Sequence, residues 1–225
     1  MFVSLRLSYE QMRVAEKVAP GETIVNMFAG AGCFSILIAK LQPQTKKIYS
    51  IDVNPHAYEY MKENVALNKV AGQVVPLLGD AREEAEKLDG VADRVLMPLP
   101  EQTQAFLPSA IRALHLDKKG ADKGRASVRH YYTVSTGRKE EVLFTIPLEK
   151  AQDIIASAFG SSVHIALEEK RIVRSVAPRT YHVVLDLRVV QVEMILIARS
   201  NQSAGHARLT QTICRIKSFQ LLFDE

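Results

Sequence analysis

The chain has 225 residues, 47% of them hydrophobic and 24% charged, with a formal net charge of +4. That is enough chain for one domain with a buried core, and the balance excludes wholesale disorder. The positive charge is compatible with a polyanionic partner such as RNA but does not identify one, because many basic proteins bind no nucleic acid.

In chain order, Tyr9 to Val18 reads as a helix stopped by Pro20-Gly21. Thr23 to Phe28 is a short apolar run that breaks into glycines, so a strand and a turn are expected, and Phe34 to Leu41 resumes helical spacing. Lys47 to Val53 predicts a second strand, and Pro55 sits where a first-turn proline belongs in a helix reaching Leu67. Val74 to Leu78 is a third strand closed by Gly79-Asp80, followed by a short charged helix, Arg82 to Leu88. Ala92 to Met97 is the fourth strand and runs into Pro98-Leu99-Pro100; Gln102 to Leu114 follows as a helix. After a polar stretch rich in Lys and Gly, Asp117 to Arg125, come a fifth strand at Val128 to Val134 and a helix at Glu149 to Phe159. Val163 to Lys170 and Tyr181 to Val192 are strand-like. Five β-turn-helix steps and two late strands predict an α/β fold with a doubly wound, seven-stranded sheet. The connection between Asp117 and Arg129 is unusually long, and the Ser/Gln/Thr-rich chain beyond Val190 has no evident place in the sheet.

Cys33 and Cys214 lie far apart in no metal-ligand spacing, so a reducing cytoplasmic setting is expected. No apolar run approaches the ~20 residues that a membrane span needs. The start, MFVSLRLSYEQ, has neither a basic stretch followed by an apolar core nor a cleavage site, so export is not expected.

The chemistry begins at Asn26-Met27-Phe28-Ala29-Gly30-Ala31-Gly32-Cys33-Phe34. Ligands of doubly wound sheets lie beyond the carboxyl ends of the strands, and glycine there supplies unusual torsions and close backbone approach. The spacing is G-x-G, with Ser35 where a dinucleotide fold places its third glycine, so the turn alone also fits an ordinary tight β-α connection. Asp52, ending the next strand, can accept hydrogen bonds from both ribose hydroxyls of an adenosyl ligand, with Asn54 available to cap the helix. Asp80, after the third strand, is placed to accept from an exocyclic adenine amine or to cap a helix. Together, at the ends of successive strands, the three form the adenosyl-binding edge of a Rossmann-like methyltransferase.

The segments NMFAGAGCFSI, IDVNPHA, LLGDAR, ADRVLMPLP, RHYYTVSTG and EEKRIVRSVAPRTYHVVLDL closely resemble, in that order, the archaeal and eukaryotic tRNA (guanine-37-N1)-methyltransferase family. The resemblance runs from about Val3 to Val189. It implies a Rossmann-like class I fold, S-adenosylmethionine as cofactor and tRNA as partner, with no metal and a monomeric, cytoplasmic protein. It implies a catalytic domain at residues 1–189, with a helical lead-in at 1–20, and an extension of unassigned role at 190–225. Phe28, Gly30, Gly32, Asp52, Asp80, Ala81 and Leu99 are then cofactor-binding, and Glu10, in SLRLSYEQMRVAEKV, is the base that removes the guanine N1 proton. Ser4, Arg6, Pro100, Arg174 and Arg179 are implied to meet substrate or RNA. By spacing alone, Glu10 reads as a solvated helix charge, and Arg171, Arg174 and Arg179 as a basic stretch or a solvated loop. His130, Tyr131 and Tyr132 stack on a base or pack in a strand, and His56 reads as exposed.

A related scaffold, the wybutosine-synthesis aminocarboxypropyltransferase, tends to carry Glu at the position of Asp52 and Gly-Tyr at Pro98-Leu99. The sequence departs from the methyltransferase pattern at Pro98, where the family places asparagine, and at Asn26, where it places aspartate. The family's RNA-binding region ahead of the catalytic domain is expected to be lacking. A cofactor-binding remnant without turnover is therefore the alternative from another class.

Overall fold

A computed structural model describes residues 5–116 and 128–191, in which helices and strands alternate from the start. The elements are α1 (Leu5–Glu16), β1 (Thr23–Asn26), α2 (Cys33–Leu41), β2 (Lys47–Asp52), α3 (Pro55–Leu67), β3 (Val74–Leu78) and α4 (Ala81–Lys87). They continue through β4 (Arg94–Met97), α5 (Thr103–Arg112), β5 (Val128–Thr136), α6 (Glu140–Phe159), β6 (Val163–Ala177) and β7 (Thr180–Gln191). All seven strands join one sheet in the order β3-β2-β1-β4-β5-β7-β6. β1 to β5 are parallel, while β7 runs antiparallel between β5 and β6. This is the doubly wound, seven-stranded sheet expected from the pattern, in the Rossmann-like class I arrangement that the resemblance implies.

Alternation along each strand divides the core into two layers. Ile24, Ile48, Leu96, Tyr132 and Val184 pack with residues of α1, α2 and α3, such as Val14, Ile38 and Met61. Val25, Ile51, Val95, Met97, Tyr131 and Leu185 face α4, α5 and α6, meeting Ala85, Leu107 and Ile155. The order reverses at β1, where β2 lies to one side and β4 to the other, so a crevice opens at the carboxyl ends of these strands.

Three elements differ notably from the sequence expectation. α1 begins at Leu5, four residues before Tyr9. α6 begins at Glu140 rather than Glu149 and runs through Pro147, because burial of Leu143, Phe144, Ala151 and Ile155 outweighs the lost backbone donor. β6 continues past Lys170 to Ala177, so Arg171 and Arg174 stand on a strand and not in a loop. The long hairpin pairing with β7 overrides the polar composition, with irregularities at Leu167/Glu169, Ile172/Arg174 and Ser175/Ala177. Ser4, the polar stretch from Asp117 to Arg125, the chain after Gln191 and Cys214 lie outside the described residues.

Candidate functional site

Between β1 and α2 the backbone turns through two left-handed glycines, Gly30 at φ 57° and Gly32 at φ 87°. A Cβ on Gly32 would come within 3.1 Å of Met61 and 3.2 Å of Ile36, so both torsion and space call for glycine. The Gly30 amide donates to Asp52 Oδ2 at 2.7 Å, and the Asn54 amide donates to Oδ1 at 2.9 Å. Asp52 therefore ties the ends of two strands together. Each of its oxygens retains a lone pair for a further donor. Asn54 itself accepts from the His56 amide as the cap of α3, so the helix is capped without Asp52, and His56 is exposed as expected. Below the turn, buried Asn26 donates to Ser35 Oγ at 3.1 Å, and Ser50 Oγ donates to the same oxygen at 2.7 Å. Its Oδ1 has no partner among the described residues; an aspartate there would bury an unpaired charge.

Along the crevice, Phe28 meets Phe106 edge-on at 4.9 Å, and the Arg82 guanidinium stands 4.9 Å over the Phe106 ring. Arg82 also grips Asp80, donating from Nη2 to Oδ2 at 2.8 Å, while its amide donates to Oδ1. Asp80 is thus the cap of α4, with buried Ala81 as the first helical residue. The Arg82 side chain, followed by its amide, holds the Asp80 carboxyl below its ordinary value. Beyond β4, the Leu99 carbonyl accepts from Thr103 Oγ1 at 2.6 Å and anchors the start of α5, leaving Leu99 and Pro100 half-buried. A pocket of about 230 Å³ lies between α5, the end of β5 and α6, lined by Gln104, Ser135, Thr136, Ile146, Pro147 and Lys150.

Glu10 is 1% exposed and is not a solvated helix charge. Tyr132 donates to its Oε1 at 2.8 Å, and Arg13 Nη2 donates to the same oxygen at 2.6 Å. Oε2 receives Arg13 Nε at 3.1 Å and stands 4.0 Å from half-exposed Arg171. Arg13 also bridges to Asp186 at 2.7 Å, as does Lys17, which pairs with Glu169 as well. His130, 0% exposed, contacts Asp186 through Nδ1 at 2.7 Å and Arg94 Nη1 through Nε2 at 2.8 Å. Arginine can only donate, so Nε2 accepts and the imidazole proton sits on Nδ1, facing Asp186. Arg94 in turn forks onto Glu22 at 2.7 and 2.9 Å.

Burial pushes the His130 imidazole below its ordinary value, partly offset by Asp186. Burial alone would raise Asp186, but His130, Arg13 and Lys17 hold its carboxyl well below the usual range. Burial and the neighbouring Glu10 push the Tyr132 hydroxyl well up. His130, Tyr131 and Tyr132 are at most 3% exposed, so none of the three is a base-stacking platform. The strand faces both layers of the core and leaves them no solvent side.

Arg174, exposed, donates from Nε to His182 Nδ1 at 3.1 Å, and His182 Nε2 lies 3.4 Å from Glu101. Arg179 occupies the β6–β7 turn at φ 59°, after Pro178. Arg6 lies in α1, and its side chain is outside the described residues. The sequence reading did not single out Arg13, Lys17, Glu22, Arg94, Phe106, His182 or Asp186. The available signal was charge inside apolar strands, as in ADRVLM and VVLDLRVV, where inward positions demand partners. Among the described residues, no helix is long and apolar enough to cross a membrane, and no cluster of three metal-ligating side chains occurs.

Comparison with known proteins gives a consistent result. The family described as the TRM5/TYW2 methyltransferase domain matches residues 1–165. A Saccharolobus solfataricus protein, tRNA 4-demethylwyosine(37)-methyltransferase Taw21, is 42% identical over 84% of this chain and 62% of its own. The Pyrococcus abyssi tRNA (guanine(37)-N(1))-methyltransferase Trm5b is 39% identical over 84% of this chain and 50% of its own. The crystal structure of Pyrococcus abyssi Trm5b superposes with a TM-score of 0.68 at 38% identity, covering 84% of this chain and 50% of that one. That of Methanocaldococcus jannaschii TYW2 in complex with AdoMet reaches 0.71 at 30% identity, covering 85% and 79%. The chain thus spans between 50% and 62% of the length of the two curated relatives.

Proposed function

Because this chain belongs to the TRM5/TYW2 methyltransferase domain family, we propose that it transfers a methyl group from S-adenosylmethionine to N1 of guanine 37 in tRNA, beside the anticodon. The observation that carries this reading is the 2.7 Å bond from the Gly30 amide to Asp52, which joins two strand ends into one edge and leaves the carboxylate lone pairs for a ligand's hydroxyls. At the same carboxyl end of the sheet, Tyr132 lies one residue beyond the last β4–β5 pair, Met97↔Tyr131, and donates to Glu10, which supports reading Glu10 as the group that meets the target base.

The cofactor's residues fit the site as built. Asp52 accepts the ribose hydroxyls, and Gly30 and Gly32 let the backbone approach closely. Phe28 and Phe106 provide an apolar wall for the adenine, with Asp80 as acceptor for its amine, Ala81 beside it and Leu99 closing the far side. The cofactor supplies an activated methyl group. Guanine N1 carries a proton at neutral pH, and Glu10 would receive it as N1 takes the methyl group and the S–CH3 electron pair stays on sulfur. Oε1 accepts from both Tyr132 and Arg13, whereas Oε2, among the described residues, accepts only from Arg13 Nε and stands 4.0 Å from Arg171, so Oε2 is the oxygen with a lone pair left for the proton. Ser4, Arg6 and Pro100 belong to the substrate side of this reading. Pro98 has no amide to offer either ligand, so orientation of the base falls to its neighbours.

A second reading is favoured by the Taw21 relative: the same site acts on 4-demethylwyosine at position 37. Mass analysis of tRNA after reaction separates the two substrates, and separates a methyl from an aminocarboxypropyl product. Calorimetry with S-adenosylmethionine tests the cofactor edge: Asp52→Ala should lose most of the affinity, and unchanged binding would refute the assignment. Glu10→Gln should keep cofactor affinity and lose transfer; normal methylation by it would remove Glu10 as the base.

A further inference from the structure

The distal half of the β6–β7 hairpin is built as a cationic surface, and its register explains how. Glu169 pairs with Asp186, Arg171 with Val184 and Arg174 with His182. The partners on β7 are two residues apart, so they share one face of the sheet. That face is the one toward α1, since Asp186 bonds Arg13 and Val184 packs in the α1–α3 layer. On β6, Arg171 and Arg174 are three apart and would point to opposite faces in a regular strand. The extra residue between Ile172 and Arg174 brings both onto the same face. They then stand about 7 Å apart along the strand, twice the rise per residue.

Charge along the hairpin is segregated. From Lys170 to Tyr181 there are four cations, Lys170, Arg171, Arg174 and Arg179, and no carboxylate. Glu168, Glu169 and Asp186 are confined to the other half and already paired, with Arg188, Lys17 and Arg13. At the tip, the Gly137 amide donates to the Arg179 carbonyl at 3.0 Å, docking the exposed Arg138-Lys139 loop beside the turn. Arg171 is 4.0 Å from Glu10, and Arg174 spends one of its five donors on His182.

We propose that Arg171 and Arg174 form a two-pronged clamp for the phosphates on either side of the target nucleotide, with Arg179, Arg138 and Lys139 extending the track along the RNA. The clamp rests on the reading of Glu10 as the group beside the target base. A phosphate held by Arg171 sits within one side chain's reach of Glu10, and the phosphates that close to the base are the target nucleotide's own. Neighbouring phosphates of a splayed strand match two forks placed along one strand face. Guanidinium forks grip phosphate bidentately, which suits this role better than a point charge.

The test uses the full chain and an unmodified tRNA transcript, with binding followed by fluorescence anisotropy over a salt series. Arg171→Gln and Arg174→Gln should each lower the slope of log Kobs against log[salt] by about 1. Lys40→Gln, on an exposed position of α2, should leave it unchanged. KM for tRNA should rise several-fold while cofactor affinity and Tm stay at wild-type values. A methylphosphonate at one flanking position should weaken the wild type but add nothing to the loss in the matching arginine variant. Unchanged slopes, a methylphosphonate cost that adds fully to the variants, or no tRNA binding by the wild type at low salt would each overturn the clamp. A wild type that binds with this pattern but transfers no group would instead overturn the functional reading and leave the clamp standing.

Discussion

The proposed cofactor edge on β1–β3 is made from backbone amides, glycine torsions and neighbours close in sequence, whereas the Glu10 end is made from side chains of α1, β4, β5, β6 and β7. Gly30 and Asp52 are 22 residues apart, while Arg13 and Asp186 are 173 apart. The first can form as soon as two β-α units meet. The second exists only when the whole sheet, including antiparallel β7, has closed over α1. Its buried charges cost desolvation and are stabilised only as a complete set. The two regions should therefore respond differently to substitution and to pH.

The sharpest break in the comparison is Asp186→Ala. It leaves Arg13, Lys17 and His130 without their shared acceptor, and loss of a buried partner of this kind costs about 3–5 kcal/mol. In a chain of this size that lowers Tm by roughly 10 °C. Cofactor affinity, measured by calorimetry below the new transition, should be unchanged. A Tm within a few degrees of wild type would mean that Asp186 is not the centre of the network.

Acid should find the same region next. His130 titrates below its ordinary value of 6.5 when folded, so its contribution is present above that value and lost as pH falls through the depressed one. His182, lowered by burial and by Arg174, adds in the same direction. Asp186 follows at lower pH: its contribution is present above 3.8 and lost as pH falls through its much lower folded value. Thermal melts from pH 8 to 4 should show Tm falling from just below 6.5, with a smaller fall in His130→Gln. A flat profile down to pH 5 would contradict the neutral, Nδ1-protonated imidazole. Gly32→Ala strikes the other region. At φ 87°, with Met61 and Ile36 within 3.2 Å of the added methyl, it should cost about 1–3 kcal/mol and weaken cofactor binding, leaving the acid profile alone.

The sequence made the first region readable and left most of the second hidden, for physical reasons. Strand ends, glycines and the Asn54-Pro55 cap are local signals, and the largely parallel, doubly wound sheet follows from the alternation of strands and helices along the chain. α3 and β3 have the expected bounds, Pro55–Leu67 and Val74–Leu78. Partner choice among distant charges has no such period. Glu10 reads as a solvated charge because nothing near it in sequence shows that Tyr132, 122 residues away, will cover it. Arg171 and Arg174 read as loop because a bulged strand breaks the alternation that would have revealed them.

Arg129 offers the finest contrast, because it adjoins His130 and faces the opposite layer. Its register partners are Val95 and Leu187, both fully buried, and its three guanidinium nitrogens have no partner among the described residues. Burial pushes the group well below its ordinary value, yet guanidinium stays charged in proteins, so the strain is borne as lost stability. Methionine keeps most of the length and packing without the charge. Arg129→Met should therefore raise stability by about 1 kcal/mol or more, seen as a higher Tm, with the acid profile and cofactor affinity unaltered. A lower Tm would show that Arg129, like its neighbour, is paired. In that case the two faces of β5 would not differ in the way their hydrogen bonds indicate, and the saturated network around His130 would no longer be the distinguishing feature of the α1 side.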